Sequence, residues 1–293
     1  MQFSVRKHFG FLLLLLLPGM LLVGALIILP LLNGVRLSFT NASPLHSGER
    51  WVGLDNFVFL LEDPVFWEVV RNSVVLVAVS ILLATGLGFV IALLLNTGIA
   101  GANFFRTAIF QVWVVPWIVV AILWSWLFNS DYGLVNHLLK SAGLMHENFK
   151  WLFDPLGAQT AIIFAFTWRS IPFMMVVSLA ALQGIPRELL ESAAIDGAGY
   201  FRQLFFIVLP LLRNILLVVA LLQTVRLFQE LTLPWVLTGG GPVNATMVLS
   251  MYSYQLAFSN WDFGLASTVG TLWLGVVIVF SALYMRVLVR GIH

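Results

Sequence analysis

Residues Ile185–Pro210 read IPRELLESAAIDGAGYFRQLFFIVLP, and the rest of the chain is arranged around them. Five charged residues, Arg187, Glu188, Glu191, Asp196 and Arg202, stand here between two long apolar runs. That pattern predicts a polar loop at a membrane surface, built as a helix and a turn. Pro186 suits the first turn of a helix, where its missing N–H leaves no bond unmade. Glu188 and Glu191 then sit toward the positive end of the helix dipole. Ser192, Ala193 and Ala194 are small, so another surface can approach the backbone closely. Gly197 can adopt the left-handed conformation that ends a helix, and Pro210 marks the entry to the next apolar run.

Composition agrees with a bilayer as the main solvent. Of 293 residues, 60% are hydrophobic and 10% charged, against about 25% charged in soluble domains. Mean hydropathy is +0.99. The absence of cysteine excludes a disulfide framework and a thiolate metal site. The pI of 9.2 rests on a net charge of only +2, and no basic run exists beyond Arg6-Lys7. Nucleic-acid binding is not expected.

About 20 apolar residues cross a bilayer, and six runs qualify. They are Phe11–Leu32, Asn72–Leu95, Thr107–Phe128, Gly157–Leu182, Ile207–Leu233 and Phe263–Met285. The first is too long for a signal peptide and lacks a small-x-small cleavage site. Arg6 and Lys7 ahead of it place the N-terminus in the cytoplasm. Six spans return the C-terminus to the same side, where Arg286 and Arg290 lie. The fold class is all-α and polytopic. Residues 1–68 form the cytoplasmic start, first span and outer loop, and residues 69–290 form the core.

Several residues within the spans are candidates for a transport pathway. Pro116 interrupts the third span among Trp113, Trp117, Trp124 and Trp126. Proline frees a backbone carbonyl, which is tolerated where protein or a water-filled cavity lines it. Trp113 and Trp168 offer faces for sugar rings, though such aromatics also serve as packing and as an interface belt. Arg169, mid-span, must face the bundle or a cavity, either as a substrate contact or in an ion pair. Gln223, Arg226, Gln229 and Glu230 make a polar stripe on the fifth span, with Arg226 and Glu230 four residues apart and so on one helix face. The stripe suits a pathway or polar contacts between helices. Gly86 and Gly88 suit close helix packing.

No phosphate-loop, H-E-x-x-H or G-x-S-x-G motif occurs, and Gly239–Gly241 is followed by no Lys-Ser or Lys-Thr. No catalytic constellation is legible, and any ATP hydrolysis belongs to another chain.

The opening stretch resembles the E-A-A-x3-G-x9-I-x-L-P signature of bacterial ABC-importer permeases, here Glu191, Ser192, Ala193, Gly197, Ile207, Leu209 and Pro210. Ser192 replaces the usual Ala. Two further stretches resemble the carbohydrate-type branch. One is Val52–Asn56 with Asp63, Pro64, Phe66 and Trp67. The other is Leu237, Thr238, Gly240, Gly241, Pro242, Thr246, Tyr252 and Tyr254. The resemblance implies a bacterial inner-membrane subunit with both termini cytoplasmic. It implies pairing with a second homologous permease above two ATPase subunits, or an ATPase homodimer, which would hold ATP and Mg2+. This chain itself would carry no cofactor. A solute-binding protein would dock outside. Glu188, Glu191, Ser192, Ala193, Asp196 and Gly197 would couple to the ATPase. The alternative is a stand-alone secondary transporter, for which Glu230 is the candidate ion-coupling carboxylate.

Overall fold

The computed structural model describes residues 5–45 and 48–290. Met1–Ser4 of the expected cytoplasmic start lie outside the described residues, as do the side chains of Arg6, Lys7 and Arg290. The described chain is helical, with no β-strand and a single antiparallel bridge between Thr40 and Trp51. The helices are α1 (Val5–Val23), α2 (Leu29–Leu37), α3 (Asp55–Glu62), α4 (Pro64–Asn96), α5 (Ala102–Val114), α6 (Trp117–Leu127) and α7 (Leu134–Ser141). They continue as α8 (Pro155–Gln183), α9 (Arg187–Ile195), α10 (Tyr200–Gln203), α11 (Leu209–Phe228), α12 (Thr232–Thr238), α13 (Leu249–Phe258) and α14 (Phe263–Arg290). π-helical turns at Gly24–Ile28 and Leu204–Val208 join α1 to α2 and α10 to α11.

Five segments among the described residues are long and apolar enough to cross a membrane: Leu14–Leu37, Pro64–Asn96, Pro155–Gln183, Tyr200–Phe228 and Phe263–Ala282. A sixth crossing exists only if α5 and α6 count as one broken span, because they meet at 99°. The third span, interrupted at Pro116 as its sequence indicates, is therefore two helices. Pro116 has no N–H to donate and pushes Val115 into extended backbone, with φ −61° and ψ 127°.

The fifth span also differs from expectation. It starts earlier, at Tyr200, and stops at Phe228, so Gln229 and Glu230 lie past its end. A helix continuing to Leu233 and beyond would put Pro234 in its interior, against the carbonyl of Glu230. Instead α12 begins afresh at Thr232, with Pro234 in its first turn.

The chain divides into two compact units. One holds residues 1–63 and 253–284. In it the Asn56 amide donates to the carbonyls of Ser38 (3.0 Å) and Thr40 (2.8 Å), and Phe39 stacks on Trp51 at 5.3 Å. The other holds residues 64–252 and 285–293. Its centre is the pair α4 and α8. In a bilayer apolar side chains gain little by leaving lipid, so helices associate through close packing and polar contacts. Gly88 shows how: a Cβ there would lie 2.6 Å from the Met174 Cβ and 2.9 Å from the Met175 nitrogen. Gly86 faces no atom within 4 Å, so only Gly88 carries the close approach.

Candidate functional site

Two features of the larger unit are candidates for a functional site: a polar cavity among the spans, and the exposed segment quoted at the outset.

The cavity begins at the helix break. With Pro116 ending α5, the carbonyls of the last turn lose their helical donors. The Val119 and Val120 N–H groups both turn to the Pro116 carbonyl. The Val115 carbonyl is taken instead by Arg169 on α8, whose Nε donates to it at 3.1 Å. The Arg169 guanidinium lies over the Trp117 ring, 4.2 Å from its centroid. The freed carbonyl and the mid-span arginine, separate oddities in the sequence, thus satisfy each other. Around them Trp113, Trp117, Arg169, Ser170, Gln223, Arg226 and Leu227 line a cavity of about 130 Å³. Trp113 stacks on Phe173 at 5.8 Å, and the Arg226 guanidinium stands 5.9 Å over the same Phe173 ring. Gln223 is 5% exposed.

The structure brings together Trp113, Arg169, Gln223 and Arg226 from the expected pathway residues. It does not include Trp168, Gln229 or Glu230 in the lining. Trp168 turns edge-on to Trp124 at 6.0 Å. Gln229 follows the end of α11 and is exposed. Arg226 and Glu230, four residues apart, do not share a helix face and form no salt bridge. Glu230 is off the helix, and its carboxylate accepts from the Thr232 N–H (2.8 Å) and the Leu233 N–H (3.4 Å), capping α12. Trp117, in the sequence one of the aromatics around Pro116, and Ser170, which no motif marks, join the lining. Trp117 was findable as the first residue of a helix restarting after proline, but Ser170 carried no local signal.

Polar side chains also hold the Gly-rich loop that follows α12. Asn72 on α4 is buried and donates to the Asn244 carbonyl at 2.8 Å, while Gln159 on α8 donates to the Ala245 carbonyl at 2.7 Å. The Ser73 hydroxyl accepts from the Leu249 N–H at 2.8 Å. Inside the loop, Thr246 bonds Thr238 and the Gly241 carbonyl.

The exposed segment forms as its residues predict. Pro186 stands just ahead of α9, and Glu188 lies in the first turn. At the other end Gly197 has φ +79°. Its N–H reaches the Ala194 carbonyl at 3.0 Å, and the Ala198 N–H reaches Ala193 at 2.9 Å. That pair of bonds is the Schellman closure of a helix end. Leu190 and Ile185 pack on a cluster of Phe89, Ala92, Leu95, Met175, Leu179, Leu182, Leu204, Val208 and Leu212, drawn from α4, α8 and the start of the fifth span. The outer face shows Glu188, Glu191, Ser192, Asp196 and Gly197 exposed, with Ala193 half-buried beneath. Ile195 (87% exposed) and Phe201 (71%) project from this polar surface. A short helix is thereby braced on three spans from below and open above.

A chain with five helices long and apolar enough to cross a membrane, or six if the broken pair counts as one span, is a multi-pass, all-helical membrane protein. Residues 63–293 match the family model described as the binding-protein-dependent transport system inner membrane component. The chain belongs to that family. It is 33% identical to the sulfoquinovosyl glycerol transport system permease protein SmoG of Agrobacterium fabrum, covering 94% of this chain and 89% of the relative. It is 35% identical to the trehalose/maltose transport system permease protein MalF of Thermococcus litoralis, over 94% and 92% of the two chains. In fold it matches a chain of the bacterial alginate ABC transporter crystallised with an alginate pentasaccharide-bound periplasmic protein. The TM-score is 0.81 at 22% identity, over 96% of this chain and 94% of that one.

Proposed function

We propose that this chain is the permease subunit of an ATP-driven, binding-protein-dependent importer for a saccharide or a related polyol or sugar phosphate. It forms half of the translocation pathway, and a second homologous permease forms the other half. Two ATPase subunits bind ATP and Mg2+ beneath the pair, and a solute-binding protein delivers substrate to the outer face. The permease performs no chemistry of its own. Both termini lie in the cytoplasm of a bacterial inner membrane.

The observation that carries this reading is α9 and its Gly197 turn. Small residues and two projecting apolar side chains, Ile195 and Phe201, present a docking surface, and Leu190 fastens it to the spans. Force applied there reaches α4, α8 and the fifth span directly. ATP-driven closure of the partner can then shift the bundle between access states through differential binding. The names of the two relatives, one for a sulfoquinovosyl glycerol system and one for trehalose/maltose, support a carbohydrate class of substrate. Among alternatives, ion-coupled transport would need a free carboxylate in the pathway. Glu230 is occupied with the α12 backbone, which favours the importer.

The test is affinity purification of the tagged chain from its own membrane in mild detergent. Recovery of a nucleotide-hydrolysing subunit, a second permease and an exported binder is expected. A folded chain recovered alone, still catalysing solute exchange in liposomes, would overturn the proposal.

A further inference from the structure

The two arginines of the cavity form no salt bridge among the described residues, and this bears on what passes through it. Among the described residues one ion pair is formed, Arg36 with Glu49, in the other unit and at the surface. Arg169 spends its Nε on the Val115 carbonyl and one face on Trp117. No hydrogen bond in the described structure engages its terminal nitrogens or the side chain of Arg226, and Gln223 is likewise without a partner there. The charged groups near enough to act on Arg169 are Glu230 and Arg226. Glu230 is already turned to the Thr232 and Leu233 N–H groups, and two guanidiniums against one carboxylate leave a surplus of one positive charge. Placing an arginine within a membrane is expensive, and such residues normally pair with one another or with an opposite charge. A guanidinium's planar fork matches the two oxygens of a carboxylate, sulfonate or phosphate.

From this arrangement we infer that the cavity lined by Trp113, Trp117, Arg169, Ser170, Gln223 and Arg226 is a subsite for the anionic group of an acidic saccharide. Arg169 and Arg226 hold the acid between them. Gln223 and Ser170 supply an amide and a hydroxyl to sugar oxygens. Trp113 and Trp117 offer aromatic faces to the ring. Arg169 is preset by its carbonyl and ring contacts, so little of its freedom is lost on binding. Arg226 is exposed and completes the clamp. The inference rests on the importer reading and adds the charge of the substrate to it.

The experiment uses the whole transporter, purified with its ATPase and placed in nanodiscs without binding protein. Saturation-transfer NMR is recorded with D-glucuronate and D-glucose as separate probes, and inorganic phosphate, which has no carbon-bound proton to observe, is added as a competitor. Glucuronate should bind, phosphate should compete with it, and glucose should bind much more weakly. Arg226→Gln should weaken glucuronate by about tenfold, the value of a charge-assisted hydrogen bond, with Arg226→Lys in between and glucose unchanged. Arg169→Gln is a second variant. Should it fail to assemble, exposed Arg226 still decides the matter. Equal binding of glucose and glucuronate, failure of phosphate to displace glucuronate, no binding of either sugar probe, or an indifferent Arg226→Gln would each overturn the inference. Co-purification of the ATPase is scored separately. Its absence counts against the importer reading, while its presence with no anion preference counts against this subsite alone.

Discussion

Gly197→Ala isolates one property of the exposed segment. A Cβ at Gly197 would meet no atom within 4 Å, so the substitution adds no clash. What it adds is backbone strain, because φ is +79° and an L-residue pays about 1–2 kcal/mol to sit in left-handed backbone. The two closing bonds, Gly197 N–H to Ala194 and Ala198 N–H to Ala193, hold only in that conformation. The closed turn should therefore become less populated by a factor of roughly 5–30. Asn tolerates left-handed backbone far better, so Gly197→Asn should recover most of the loss. The assay is ATPase co-purification and ATP turnover of the assembled transporter, beside the amount of permease in the membrane. Membrane level should stay normal, since Gly197 is exposed. ATPase recovery should fall severalfold for Ala, stay near wild type for Asn, and be lost for Asp, which adds a third acid beside Glu191 and Asp196. Equal recovery with Ala, Asn and Gly would refute the claim that the left-handed turn presents the docking surface.

Other substitutions have distinct readouts. Gly88→Val should force α4 from α8, since its Cβ would stand 2.6 Å from the Met174 Cβ and 2.9 Å from the Met175 nitrogen. Overpacking costs about 1–3 kcal/mol, read as a lower unfolding temperature in detergent, whereas Gly86→Val should be close to neutral. Asn72→Ala strips the Asn244 carbonyl of its 2.8 Å donor, at about 1–3 kcal/mol for an unpaired buried group. Limited proteolysis should then cut the Gly239–Asn244 loop faster. Arg36→Ala removes an exposed ion pair and should change stability by under about 1 kcal/mol, measured by the same thermal unfolding.

Much of this architecture was legible because its signals are local. Apolar length marks a span wherever the helix packs. Gly197 and Pro186 act on their own dihedral angles, so the form of α9 was readable from the residues alone. Gly88 was readable as a small residue, but its distinction from Gly86 depends on which face meets α8. What the sequence hid were pairings between distant segments. Pro116 signalled a break, but neither its 99° turn nor the capture of the Val115 carbonyl by Arg169, 54 residues on, has a local mark. The Arg226–Glu230 stripe rests on helical spacing that the chain abandons at Phe228, and Pro234, four residues past Glu230, is the signal that the helix ends there. Nothing local to Asn72, Ser73 or Gln159 marks the loop that returns to them.

The central claim is that α9 meets a separate ATPase, and the cysteine-free chain permits a direct test. Ile195→Cys would introduce the chain's sole thiol at a position 87% exposed. A short thiol–amine crosslinker would then be applied to native membranes, with Tyr132→Cys, exposed between α6 and α7, as the control. The account predicts a crosslink from Ile195→Cys to an ATP-binding subunit, altered in yield by non-hydrolysable nucleotide, and none from Tyr132→Cys. Labelling of Ile195→Cys by a membrane-impermeant maleimide added outside intact cells, with no ATPase crosslink, would contradict it.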